Sequence, residues 1–280
     1  MNKIISDVDE LKWFFDNVLP DLKLGEVFFV SLSARNKYLT KKEKEMFQLG
    51  RNEMFCKSIV REKDWFRFLR TIRKYECHEE GYLTKNNLPI PSKTIVCYIN
   101  INPSDTIKAL NGFNKVINEY MLELSNVAIK KLDCGNIMNR LNKIDNNLMT
   151  EYQQATGTRY YIDFDLDVDK DWKVYNEEVL KEWMSKKGIK TYFWVDTKSG
   201  YHLLIKKEEL KFNPKELIDF VKQGYGNWLY STYEVETAHE KAVNCEIIQN
   251  KNSMIPLPGC FQGEYPVIIL NKQAIVSGEI

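Results

Sequence analysis

The stretch RYYIDFDLDVDKDW, residues 159–172, places aspartates at 163, 165, 167, 169 and 171. Its first half alternates them with Tyr160, Ile162, Phe164 and Leu166. Period-two alternation of this kind predicts a strand with one apolar and one acidic face. Asp163 and Asp165 would then lie about 6.6 Å apart along one face. Two carboxylates at that spacing repel unless a positive charge lies between them, and a divalent metal ion is the usual one. A solvated acidic strand edge is the bland alternative. A calcium loop is another, because Asp167, Asp169, Asp171 and Glu178 match its ligand positions. Trp172, however, occupies the place where that loop's turn demands glycine.

The elements that must position these acids follow from pattern. The acidic strand at 159–167 is followed by a helix over about 176–187, with Asn176 as cap and Gly188 as stop. Strands are expected at 190–195 and 201–206, joined by the turn DTKSG. NPKELIDFVKQG (213–224) reads as a helix with an Asn cap and proline in its first turn. Strands at 243–248 and 265–270 complete the half. The order β-α-β-β-α-β predicts an α+β fold with an RNA-recognition-like split βαβ sheet, its first strand between the third and the fourth. Residues 1–150 read as an N-terminal helix-rich α/β module. It has helices at 6–19 (capped at Ser6 and Asp9), from Thr40 and at 64–75, strands at 26–32 and 94–101, and helix over most of 104–150. Residues 151–280 form the catalytic module, and the two together make one domain.

On such a sheet Asp163, Asp165, His202 and Glu246 project together from an open face. Three carboxylates and an imidazole suit metal-assisted phosphoryl chemistry, with Mg²⁺ or Mn²⁺ bridging carboxylates and a triphosphate. Lys198, Thr197 and Ser199 in the turn before His202 are placed to contact phosphate oxygens. Glu234 and Glu236 are alternatives to Glu246 as third acid. Arg35 and Lys37, and the basic helix face of Arg67, Arg70, Arg73 and Lys74, are candidates for nucleic-acid phosphates, with a solvated surface as the plain alternative. Tyr161 and Tyr201 are candidates to stack on a base.

Three segments, YYIDFDLD, then TKSGYHLLI, then CEIIQNKNSMIPLPGCFQG, resemble the ordered motifs of the archaeo-eukaryotic primase superfamily, which includes primase-polymerases. The resemblance covers roughly residues 159–262. It implies that Asp163, Asp165 and Glu246 hold the metals and that His202, with Ser199 and Lys198, binds the nucleotide. Glu246 stands where many members have aspartate. Met254 and Ile255 stand where many have an arginine, with Lys251 as a substitute. The implied activity is template-directed synthesis of RNA or DNA from NTPs or dNTPs on single-stranded DNA. The alternatives are another metal-dependent nucleotide-handling enzyme, such as a nuclease or cyclase, or a primase-like module that binds nucleic acid without chemistry.

Composition sets wider bounds. The chain has 280 residues with 40 basic and 39 acidic side chains, so net charge neither favours nor excludes a nucleic-acid partner. Six cysteines without a C-x-x-C pair read as reduced thiols of a cytoplasmic protein. His239, Cys245 and Cys260 are too poorly spaced for a zinc site. No apolar run approaches the ~18 residues of a membrane span. No phosphate-binding P-loop motif occurs, so unwinding is expected from a separate replicative helicase. A small stand-alone enzyme of this design suits a virus or mobile element.

Overall fold

The computed structural model describes residues 3–76, 81–84, 86–130, 135–250 and 254–272. In chain order its helices are α1 (Val8–Asn17), α2 (Lys41–Phe47), α3 (Trp65–Lys74), α4 (Thr106–Lys130), α5 (Gly135–Leu141), α6 (Ile144–Gln154), α7 (Lys170–Lys186), α8 (Pro214–Thr232) and α9 (Val235–Asn244). The strands of the first half are β1 (Glu26–Arg35), β2 (Asn52–Val60), β3 (Ile95–Asn100) and β4 (Ser104–Asp105). Those of the second are β5 (Tyr161–Asp167), β6 (Tyr192–Thr197), β7 (Gly200–Lys206), β8 (Glu246–Asn250), β9 (Met254–Pro256), β10 (Phe261–Gln262), β11 (Tyr265–Pro266) and β12 (Ile268–Ile269).

Local chemistry accounts for most helix starts. Thr40 and Glu43 form a reciprocal capping box at α2, as do Asn213 and Glu216 at α8. Asp64 caps α3 through the Arg67 amide. Two caps differ from expectation. At α1 the side chain of Asp7, not Ser6, accepts from the amides of Asp9 and Glu10. At α7 Asp169 accepts from the Asp171 amide, so the helix starts six residues before the expected Asn176. Gly224 does not end α8, which runs on to Thr232 because Val221, Tyr225, Trp228 and Leu229 continue its buried stripe.

The protein is mixed α+β with two antiparallel sheets. The first has the order β11-β10-β3-β1-β2, with β4 on β1 and β9 on β3; the second has the order β12-β6-β7-β5-β8. Strand β5 thus lies between β7 and β8. Residues 254–266 leave the second half of the chain and pair into the first sheet, before β12 returns to the edge of the second. The expected strand at 265–270 is therefore two short strands, one in each sheet.

Three clusters make up the core. Phe164, Leu166, Leu203, Ile205 and Ile247 cover one face of the second sheet under α7, α8 and α9, through Trp172, Leu180, Leu217, Val221 and Ala238. Val27 and Phe29 of β1 pack on Ala109 and Tyr152 of α4 and α6. The third cluster joins the sheets: Phe28, Val30 and Leu32 of β1 and Phe14 and Phe15 of α1 meet Tyr161, Phe193, Val195 and Leu204. Glu10, 4 % exposed, reinforces this joint by accepting from the Ile269 amide at 2.7 Å and from the Lys272 ammonium. Among the described residues no helix is long and apolar enough to cross a membrane.

Candidate active site on the acidic strand

Directly opposed residues of an antiparallel pair share a face. Asp165 opposes His202 on β7 and Ile248 on β8, and Asp167 opposes Glu246. Asp163 opposes Leu204 and Asn250. The strand's period of two therefore puts Asp163, Asp165, Asp167, His202 and Glu246 on one side of the sheet. That side is not the open face expected. Tyr161, Leu204, Phe193 and Val195 belong to it too, and they are buried in the core that joins the sheets. Of the acidic stretch, the corner around Asp165, Asp167, Glu246 and Ile248 reaches solvent.

Burial grades along the strand accordingly. Asp163 is 1 % exposed, whereas the Asp165 side chain is 39 % exposed. His202 bridges the two levels: its Nδ1 lies 2.9 and 3.1 Å from the carboxylate oxygens of Asp163, and its Nε2 lies 3.7 Å from Asp165 Oδ1. Burial alone would lower the imidazole pKa. The charge of Asp163 and its hydrogen bond outweigh this, Asp165 and Asp167 add to it, and the pKa rises to about 9. The ring is therefore an imidazolium at neutral pH. Burial raises the pKa of Asp165, and the charges of Asp163 and Asp167 add to that; His202 and Lys37 work the other way. Burial also raises Asp167, with Glu246 adding, against Lys37 and Arg35.

Arg35 at the end of β1 and Lys37 just beyond it thus bring positive charge from the first sheet to the acidic corner. Arg35 Nη1 donates to the Tyr98 hydroxyl, and its charge acts on Asp167. Tyr38 fastens the turn before His202. Its hydroxyl lies 3.4 Å from Ser199 Oγ and accepts from Gln262 Nε2 at 2.8 Å. Gln262 Oε1 in turn accepts from the Lys198 amide at 2.7 Å, and Lys198 Nζ stands 4.3 Å from the centre of the Tyr38 ring. Gly200 is required where this turn meets β5: a Cβ there would lie 2.1 Å from the Leu166 carbonyl oxygen.

Several expected placements need correction. Asp163, Asp165 and Glu246 do not gather as a trio. Glu246 faces Asp167, four residues along β5 from Asp163 and hence about 13 Å away along the strand. The Thr197 hydroxyl is buried and donates to the Gly200 carbonyl, closing the turn instead of facing the cleft. Tyr161 and Tyr201 are buried, and Tyr161 Oη donates to the Val18 carbonyl, so neither offers a ring to a base. Glu246 opens β8 because α9 runs on to Asn244, where strand was expected; Glu234 and Glu236 lie at the start of α9. Arg67, Arg70 and Arg73 belong to α3, which packs Phe68 and Ile72 into the core beside Phe15 of α1, and Arg67 pairs with Glu62. Lys251 lies outside the described residues.

Asp167, Tyr38 and Gln262 enter the site without having been singled out as its central residues. For Asp167 the signal was present, in the same alternation as Asp163 and Asp165. Tyr38 and Gln262 are 224 residues apart, and no local pattern joins them.

The donor set fits a divalent cation in kind. Its carboxylates share one side of the sheet, and burial with mutual repulsion makes the charges of Asp165 and Asp167 costly, as a cation would relieve. Among the described residues no three His, Cys, Asp or Glu side chains converge closely enough to hold an ion. No protein-family model matches the chain, and neither a curated protein nor a solved structure matches it.

Proposed function

We propose that the protein is a nucleotidyltransferase of the primase-polymerase type, which joins nucleotides on a single-stranded DNA template with Mg²⁺ or Mn²⁺. The observation that carries this reading is the position of β5. Held between β7 and β8, it sets its aspartates beside His202 on one neighbour and Glu246 on the other, and this placement supports the reading. Two helices, α8 and α9, stand where that pattern has one.

Asp165, Asp167 and Glu246 are the carboxylates at the exposed corner, so they are the ones that would offer oxygens to a cation, although as they stand they do not converge into a three-ligand site. When bound, it supplies charge neutralisation to the triphosphate and to the attacking oxygen. The chain's own groups do the positioning. His202 presents an imidazolium donor to a phosphate oxygen, and Lys198 adds an ammonium on the turn pinned by Tyr38 and Gln262. Arg35 and Lys37 on the facing sheet attract the anionic substrate, and positioning with preorganised charge accounts for most of catalysis in such reactions.

The test is a synthesis assay on single-stranded DNA with either metal, with dNTPs or NTPs, and with and without a primer. Template-dependent product that Asp165→Asn abolishes is the expected result. Strand degradation or a cyclic nucleotide would replace the reading with a nuclease or cyclase. DNA binding without any product would leave a binding module.

A further inference from the structure

The two carboxylates of the Asp-x-Asp pair occupy different surroundings. Asp163 is enclosed, it opposes the fully buried Leu204, and both of its oxygens lie within hydrogen-bond reach of one imidazole nitrogen. The Asp165 side chain is half-exposed at the solvent-facing corner. The Asp163 carboxylate is already engaged by the ring of His202, and its backbone lies about 13 Å along the strand from the position that faces Glu246.

We infer that Asp163 is the positioning residue of His202 and not a metal ligand: its carboxylate accepts from Nδ1–H and turns Nε2 toward Asp165 at the exposed corner, the side from which a phosphate oxygen of the nucleotide would approach. The phosphate part of this inference rests on the proposed function; the Asp163–His202 part does not. A carboxylate on one ring nitrogen fixes the orientation and protonation of the other, which is how proteins set a histidine that must present a defined nitrogen to a ligand. The pair thereby divides its labour. The inner aspartate orients an imidazole, and the outer one, with Asp167 and Glu246, faces the exposed corner.

Mn²⁺ binding by the wild type, Asp163→Asn and Asp165→Asn, measured by electron paramagnetic resonance, tests the division. Asp163→Asn should keep its Mn²⁺ affinity to within about threefold and Asp165→Asn should lose about tenfold or more, since a charged ligand contact is among the strong ones. The chain has only three histidines, so the His202 ring resonances can be assigned. The Nδ1–H signal of the wild type should persist when Mg²⁺ is added and should be lost in Asp163→Asn. With activity in hand, that variant should raise KM for nucleotide more than it lowers kcat. Loss of Mn²⁺ affinity in Asp163→Asn equal to that in Asp165→Asn, or disappearance of the wild-type Nδ1–H signal on adding Mg²⁺, overturns the inference. The Mg²⁺ titration needs no variant and decides the matter even if Asp163→Asn does not fold. If neither variant changes Mn²⁺ binding, the metal-holding role of Asp165 falls, and the resonance still reports on Asp163.

Discussion

Replacing Asp163 by asparagine should change how stability depends on pH, and the structure sets the size of the change. In the folded protein the His202 pKa stands at about 9, against an ordinary 6.5 in the unfolded chain. A group whose folded pKa is raised contributes stability that is fully present below the unfolded value and is lost as pH rises through the folded one. At 1.36 kcal/mol per pH unit, the full contribution is about 3 kcal/mol. The cost of breaking a buried ion pair by removing one partner is similar, about 3–5 kcal/mol. The groups acting on the ring are Asp163, Asp165 and Asp167, with Asp163 the strongest of the three, so the asparagine variant should lose most of the effect.

Urea unfolding in EDTA at pH 6 and pH 8.5 would measure this. Over that interval the wild type should lose about 2 kcal/mol through His202. The variant should be less stable at pH 6 and should show less than about half of that decline. Other titrating groups are common to both proteins and cancel in the comparison. An equal decline in the two proteins would refute the pairing of Asp163 with a protonated His202.

Asp165→Asn should stabilise the protein in EDTA at pH 7. Its folded pKa is raised, so the ionised carboxylate is a liability above that pKa and none below the unfolded one; the gain in melting temperature should therefore shrink toward pH 4. The same variant should lose the stabilisation that Mn²⁺ gives the wild type, read in the same thermal melts. Gly200→Ala should cost at least ~2 kcal/mol in urea unfolding, because a Cβ would press on the Leu166 carbonyl at 2.1 Å; a neutral result would mean that the turn can shift away from β5. Glu10→Ala leaves the buried Ile269 amide without its carboxylate acceptor and removes the partner of Lys272, so about 2–3 kcal/mol should be lost. Hydrogen exchange at the Ile269 amide should rise in step, and unchanged protection there would count against the role given to Glu10.

What the sequence determined by itself is local. Alternation in YIDFDLD dictated a strand with its aspartates on one side and Phe164 and Leu166 on the other, because successive side chains of a strand point to opposite faces. Capping chemistry marked the starts of α2 and α8 at Thr40 and Asn213. The strand β2, NEMFCKSIV, went unread because its polar and apolar residues follow no clean period. The tertiary structure decided how much of the acidic side stays open and which acids meet. Phe193, Val195 and Leu204 could have faced water or a second layer, and their burial against α1 and the first sheet closes the middle of that side and leaves the corner around Asp165 and Asp167 open. The pairing of Asp167 with Glu246 depends on register, and a shift of two residues would have left the faces unchanged while bringing different acids together. The same holds for Arg35, Tyr38 and Gln262: they reach the site because the chain folds back on itself, and burial of the apolar joint between the sheets drives that return.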